Sequence, residues 1–395
     1  MSEQRRYSAG PQSLLRSINA RAVLELIDKE GSISRTDVSR LTGLSKPTVS
    51  LALSALVESG AVHEVGHITG RKGPAAVLYA MIPTSAWAIG VDLGHDRIRV
   101  AVADLKSTVR TRREAAIRRD PEALVQQVAQ VCADAAADVG TELGGATQIV
   151  IGLPAVVGSD GRHLSYAGGL PGAGAGLGEA LASALDAPVI LENDVNLAAL
   201  SEHTQGHGVG VDDFVLVSLG VGLGVGLVVG GRVIRGSSGA AGEAGYLPGL
   251  HDTALHAKPP LQRDLVESSI GARYIVARAR ALGLGDEVTP RSVFEQARAG
   301  DARALEIVDG TARIIAYVIA CVAPVVDPQL VILGGAIGSN PDLLLAPVKS
   351  YLETLTPFRP RLESSELGSE AVLLGATARA VDLARRWAFE TLTPV

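Results

Sequence analysis

Apolar positions in the first eighty residues recur at helical spacing. Leu14, Leu15, Ile18, Val23, Leu24 and Ile27 predict a helix from about Ser13 to Glu30 with those side chains on its buried side, stopped by Gly31. Ser34 opens a second helix as N-cap, with Asp37 three residues on and Val38 and Leu41 facing inward. After a tight turn at Gly43, Ser45 caps a third helix, SKPTVSLALSALVESG. Pro47 fits its first turn, where the missing N–H has no helical partner. Val49, Leu53, Leu56 and Val57 face the core, Lys46, Thr48, Ser50 and Ser54 face out, and Gly60 ends the helix. The period then drops to two. Val62 to Val65 and Ala76 to Met81 read as strands of a hairpin with Arg71 and Lys72 at its tip.

Two short helices joined by a glycine turn, followed by a basic hairpin, make a winged helix-turn-helix. Small hydroxyls and one lysine at a helix N-terminus suit entry into a major groove, where bulk would block approach. The candidate DNA contacts are Arg35, Ser45, Lys46, Pro47, Thr48, Ser50, Arg71 and Lys72. The competing reading is a small helical protein-binding domain. Met1 to Gly10 is polar and expected to be disordered, with Arg5 and Arg6 available to phosphates or simply solvated.

Beyond a linker at Pro83 to Ser85 the pattern alternates strands and helices. AWAIGVDLGHDRIRVAVADL reads as a hairpin, Pro121 to Val139 as a helix, and QIVIGLPAVV as a strand. A glycine-rich loop containing Gly168 and Gly169 leads to a helix ending at Leu185 and a strand ending at about Leu191. FVLVSLGVGLGVGLVVGGRVIRG is a second strand–turn–strand, PQLVILGGAIG a later strand, and Gly375 to Phe389 an amphipathic helix. Two strand–turn–strand units, each followed by helices, predict a duplicated α/β body with a cleft between lobes. The expected division is a DNA-binding domain over 1–82 and an effector-binding and oligomerisation domain over 83–395.

Bulk properties narrow the picture. No apolar run reaches the ~18 residues of a membrane span and no signal peptide is visible. Cys132 and Cys321 are far apart in apolar helical contexts, which excludes a cysteine-rich metal knot and suits a reducing cytoplasm. Met1 to Ala80 holds 10 basic and 7 acidic residues, whereas the rest holds 26 and 35. Only the head is expected to meet a polyanion.

The chemistry concentrates in LENDVNLAALSEH, Leu191 to His203. The apolar run Ala187 to Leu191 delivers Glu192, Asn193, Asp194 and Asn196 to a helix N-terminus, whose N–H groups should keep Asp194 ionised. An ionised Asp beside an Asn can grip a sugar hydroxyl and, in an enzyme, take its proton. The same residues also serve simply as a helix cap. The glycines at 220, 222, 224 and 226 clear one strand face, for a phosphate or for a packed helix. Glu243 and Tyr246 add an acid and a phenol among further glycines.

A winged helix followed by GVDLG, LENDVN, LGVGLGVG, AGEAGY and VILGGAIG resembles the ROK family of repressors and sugar kinases, over about residues 13 to 395. The resemblance implies a two-lobed actin-like ATPase (RNase H-like) body and a homodimer or homotetramer. It places Asp194 where the kinases keep their general base. It puts Asn193, Glu243 and Glu267 at hydroxyl-binding positions. Three departures follow. His95 and Asp96 replace the Gly and Thr of the kinase phosphate loop, and Val221 replaces a Thr, so ATP use is not expected. A carboxylate beside a triphosphate costs Coulomb energy. Tyr246 replaces the His of the family's zinc site, and the loop with His251 and His256 has no Cys, so neither zinc nor another cofactor is expected. Gly168 and Gly169 stand where relatives often carry a sugar-binding Asn. The implied protein is a cytoplasmic, sugar-responsive DNA-binding repressor whose effector site comprises Asn193, Asp194, Glu243, Tyr246 and Glu267. The alternative is a sugar kinase with an attached DNA-binding head.

Overall fold

The computed structural model of the chain describes residues 12–68, 76–167, 170, 176–249 and 265–390. Arg71 and Lys72, Gly168 and Gly169, His251 and His256, and Met1 to Gly10 with Arg5 and Arg6 lie outside them.

The head comprises α1 (Gln12–Glu30), β1 (Ile33–Ser34), α2 (Arg35–Thr42), α3 (Lys46–Glu58), β2 (Val62–Ile68) and β3 (Ala76–Met81). The capping chemistry is as expected. Ser34 accepts from the Asp37 N–H, Ser45 accepts from the Thr48 N–H, and Gly43 adopts the left-handed conformation at φ 72°. Four apolar assignments are corrected. Leu15 and Ile18 are 57% and 53% exposed, Leu41 is 49% exposed, and Val57 is 39% exposed. α1 instead buries Ala20, Val23, Leu24 and Ile27, and α3 buries Val49, Ala52, Leu53 and Leu56. Each set follows i, i+3, i+4, i+7, which a three-helix core can cover; the remaining apolar residues fall outside that stripe. Two-residue β1 joins the wing sheet in the order β1-β3-β2. It is too short to have left a period in the sequence.

The first lobe comprises β4 (Trp87–Leu93), β5 (Arg97–Asp104), β6 (Val109–Ala116), α4 (Pro121–Asp138), β7 (Gln148–Leu153), β8 (Ala155–Val157), β9 (Leu164–Ala167), α5 (Leu177–Ala184), β10 (Val189–Asn193) and α6 (Asp194–Gln205). Pro154 splits the expected QIVIGLPAVV strand into β7 and β8, because proline has no N–H for the ladder. The second lobe comprises β11 (Phe214–Leu219), β12 (Leu223–Val229), β13 (Arg232–Val233), α7 (Ala272–Ala281), α8 (Pro290–Arg298), α9 (Ala302–Val326), β14 (Leu330–Gly334), α10 (Gly335–Gly338), α11 (Pro341–Leu355) and β15 (Arg361–Ser364). α12 (Ala371–Glu390) returns to the first lobe, against β4 and β7.

The duplication is visible in the sheet orders. The first sheet runs β10-β7-β4-β5-β6 and the second β15-β14-β11-β12-β13 when read in the same sense. In both, an antiparallel hairpin is followed by two parallel strands on its other side. Helix α6 lies between the two sheets. A Cβ on Gly224 would stand 2.6 Å from Val195 Cγ2, and one on Gly226 would stand 2.6 Å from Ala199 Cβ. Of the two readings of that glycine face, the packed helix is the one realised at Gly224 and Gly226.

Candidate functional site

The N-terminus of α6 opens at the edge of both sheets. Asn193 is the cap: its Oδ1 accepts from the Asn196 N–H at 3.0 Å, and its Nδ2 donates to the Ala155 carbonyl at 3.1 Å. Asp194, the next residue, is therefore spared for the cleft. Its Oδ1 accepts from the Val195 N–H at 2.8 Å, and part of its surface stays open. Burial pushes its carboxyl up to about 6, outweighing the backbone N–H groups that hold it down. The helix N-terminus thus does not keep this acid low; desolvation is the larger effect.

Two more acids come from the second lobe. Glu243 precedes a short helical turn at Ala244–Tyr246 and is half-buried. Burial raises its carboxyl, and the charges of Asp194 and Glu267 raise it further. Glu267 is exposed on one side, and its Oε2 accepts from the Leu223 N–H at 3.0 Å. Burial raises it, against that bond and the Arg273 charge. A Cβ on Gly222 would stand 2.5 Å from Glu267 Oε1, so this glycine makes room for the acid. Gly245 does the same at 2.7 Å from Oε2. Tyr246 lies at the surface, 41% exposed. Glu243 is therefore within electrostatic reach of both Asp194 and Glu267, with Asn193 capping the helix that begins at Asp194.

Asp92, near the end of β4, lies within electrostatic reach of Asp194. It is buried, and burial pushes its carboxyl up to about 6, with Asp194 adding to the rise and Arg99 opposing it. Arg99, its cross-strand neighbour on β5, donates to Asp92 Oδ2 at 2.5 Å. Arg99 also reaches Glu370 at 3.4 Å, and Arg112 reaches Glu370 at 2.6 Å. The carboxylate of GVDLG is thus already matched by a guanidinium of the chain itself. On the following loop Asp96 pairs with Arg119 at 3.3 Å in an exposed position.

Sequence reasoning named Glu192 but missed its work. Its Oε1 accepts from the Asn193 N–H and Asn196 Nδ2, each at 3.1 Å. Its Oε2 accepts from Arg235 Nε at 2.6 Å. Arg235 follows β13 in the second lobe and lies 43 residues from Glu192, beyond any local sequence period.

On the head, α3 exposes Lys46 and Pro47, with Thr48 and Ser50 partly covered. Ser45 and Thr48 share a hydroxyl hydrogen bond of 2.8 Å, so both are committed to the cap. Arg35 donates to Tyr79 Oη at 2.9 Å and lies over its ring. This pins the start of α2 to the wing. No described helix is long and apolar enough to cross a membrane.

Comparison with known proteins agrees with this anatomy. The sequence pattern of the ROK family matches residues 88–382, and that of a winged helix-turn-helix DNA-binding segment matches residues 16–62. The xylose repressor of Caldicellulosiruptor bescii is 25% identical over 393 residues, covering 94% of this chain and 97% of its own. A ROK family transcriptional regulator described as a homolog of the E. coli MLC protein superposes with a TM-score of 0.78 at 23% identity, covering 96% of this chain and 98% of that one. A ROK family glucokinase from Streptomyces griseus, solved with glucose and AMPPNP, gives 0.63 at 27% identity and covers 75% of this chain and 99% of its own. The kinase lacks a counterpart to a quarter of this chain, whereas the two regulators span almost all of it. With its duplicated body under the family pattern and a winged helix ahead of it, the chain belongs to the ROK family and has the layout of its regulators.

Proposed function

We propose that the protein is a sugar-responsive transcriptional repressor that binds no metal and catalyses no reaction. In this reading residues 1–82 read an operator and residues 83–395 bind the effector and form a homodimer or homotetramer. Lys46, Pro47, Thr48 and Ser50 approach the major groove, with Arg35 and Ser45 beside them, and Arg71 and Lys72, outside the described residues, are the remaining candidate contacts. Asn193, Asp194, Glu243, Tyr246 and Glu267 form the effector site.

The observation that carries this reading is that Glu243 of the second lobe lies within electrostatic reach of both Asp194 and Glu267, in a chain with a DNA-binding head. Carboxylates that repel one another accept hydrogen bonds from hydroxyls and are relieved by them. The same charges oppose a phosphate ester, so the favoured effector is an uncharged sugar. It acts only if it binds the DNA-releasing arrangement more tightly than the other.

The second reading, a sugar kinase, is favoured by one observation. A carboxyl near 6 is poised for general-base work at neutral pH. Against it stands Arg99, which already occupies Asp92.

Thermal shift separates the readings. The protein is screened against D-xylose, D-glucose, N-acetylglucosamine and their phosphates, with and without Mg-ATP. A ligand at 100 times its dissociation constant adds about 2.7 kcal/mol. A shift with a neutral sugar, unchanged by Mg-ATP, supports the repressor. A shift that requires Mg-ATP supports the kinase, and a response to phosphates alone overturns the uncharged effector.

A further inference from the structure

Helix α12 touches every part that a repressor must connect. At its start, Glu370 is bound by Arg112 and Arg99, and Arg99 holds Asp92, which lies within electrostatic reach of Asp194. One turn later Gly375 rests on α6, the helix that begins at Asp194. A Cβ there would stand 1.9 Å from the Leu197 carbonyl oxygen, so the two backbones are in direct contact. Thr377 lies on Gly90 of β4, where a Cβ would stand 2.3 Å from its Oγ1. Contacts this close leave no slack, so α12 must follow α6 and β4 if either shifts.

The far end of α12 carries the head. Ala376, Ala380, Val381 and Ala384 share one apolar cluster with Val23, Leu24 and Ile27 of α1. Arg385 closes the seam. Its Nε donates to the Leu105 carbonyl of the first lobe at 2.7 Å, and its Nη2 donates to Asp28 of α1 at 2.9 Å. Beside this bond lies a cavity of about 290 Å³ lined by charged side chains of both helices, among them Arg21, Glu25 and Asp382. A seam of alanines next to a polar cavity permits small shear between helices, unlike an interlocked one. Arg385, bridging the Leu105 carbonyl and the Asp28 carboxylate, sets where along that seam α1 sits.

Resting on the repressor reading above, we propose that Arg385 is the positioning residue through which cleft occupancy sets the placement of the DNA-binding head, with α12 as the rigid rod between them. The apolar cluster attaches the head, and the Arg385–Asp28 bond selects its register against α12.

The test uses the full chain as wild type, Asp28→Asn, Arg385→Gln and Arg385→Lys. Sugar affinity is measured by calorimetry with D-xylose, D-glucose and N-acetylglucosamine. DNA affinity is measured with and without sugar, on a duplex selected from a random pool by the wild-type protein. Asp28→Asn and Arg385→Gln are expected to keep their sugar affinity within about twofold. The sugar-induced change in DNA affinity should fall at least fivefold, within the usual span of coupling constants. Arg385→Lys, which keeps the charge but not the fork, should fall between. A merely structural role would lower melting temperature and leave that ratio intact. Variants that retain the full ratio while the wild type responds overturn the proposal alone. A wild type that binds none of the sugars, or binds one without any change in DNA affinity, overturns the repressor reading and this proposal with it.

Discussion

Glu192 and Arg235 come from opposite lobes and meet in an ion pair, with the Nη2 of Arg235 2.5 Å from Glu192 Oε2. Glu192 is 6% exposed, and its other oxygen carries the Asn193 and Asn196 donors. The pair therefore ties lobe position to the shape of the cap beneath the effector site. Arg235→Met should leave a buried carboxylate unmatched and cost about 3 kcal/mol, at the low end for a broken buried pair because Arg235 is partly exposed. Denaturant midpoints measure this. Glu192→Gln added to Arg235→Met should recover most of the loss. A double variant no better than the single one would mean that the pair is not the source.

Asp194 offers a sign test of burial. Its carboxyl rises from its usual 3.8 to about 6, so the folded chain holds that proton more tightly than the unfolded chain. The folded state carries no penalty below about pH 3.8, accumulates it up to about pH 6, and bears all of it above. Asp194→Asn should thus stabilise the protein at pH 8 by up to about 3 kcal/mol, with no gain at pH 4, while abolishing sugar binding. Loss of stability at pH 8 would refute the burial argument. Sugar binding that survives would remove Asp194 from the site.

How much of this was legible beforehand follows the range of each interaction. The caps at Ser34 and Ser45 and the polar run at Asp194 are local, with partners within four residues of one another, and the hairpin β4–β5 joins neighbouring strands across a short turn. Arg235 lies 43 residues from Glu192, and Glu370 lies 271 residues from Arg99. No period or motif joins such positions. Glu202 makes the point best. It is fully buried, with Ser365 Oγ donating to it at 2.5 Å across 163 residues. The glycines at 224 and 226 announced a close approach but not what approached. The exposure of Leu15, Ile18, Leu41 and Val57 depended on how wide a stripe the small head could cover.

Effector binding should depend on pH in the opposite sense from stability. Only the ionised Asp194 offers all its lone pairs to hydroxyls. With its carboxyl near 6, about nine-tenths is protonated at pH 5. Affinity for a neutral sugar should fall about tenfold between pH 7.5 and pH 5 at constant ionic strength, read by calorimetry. An affinity that does not change over that range would show that the sugar does not rest on this carboxylate.

Two glycine substitutions separate close packing from backbone freedom. Gly375→Ala places a methyl 1.9 Å from the Leu197 carbonyl oxygen, and neither backbone can yield without parting α12 from α6. It should cost about 3 kcal/mol or more, as overpacking does. Gly310→Ala, within α9, meets nothing within 4 Å and should stabilise by about 0.5–1 kcal/mol through helix propensity. Denaturant midpoints for both give the answer. A neutral Gly375→Ala would mean that the helices are not in backbone contact.

The head allows positioning and readout to be told apart. Lys46 is exposed at the first turn of α3, where its charge would meet phosphate rather than a base edge. Lys46→Ala should weaken binding to all duplexes alike and reduce the slope of log affinity against log salt by about one. Ser50, one helical turn on and partly covered, can approach a base edge only when the helix is seated in the groove. Ser50→Ala should spare mixed-sequence DNA and lose about 1–3 kcal/mol against a selected duplex. Titrations of both variants on both DNAs, at several salt concentrations, decide it. If Ser50→Ala weakens the two duplexes equally, or Lys46→Ala leaves the salt slope unchanged, α3 is not the element that enters the groove.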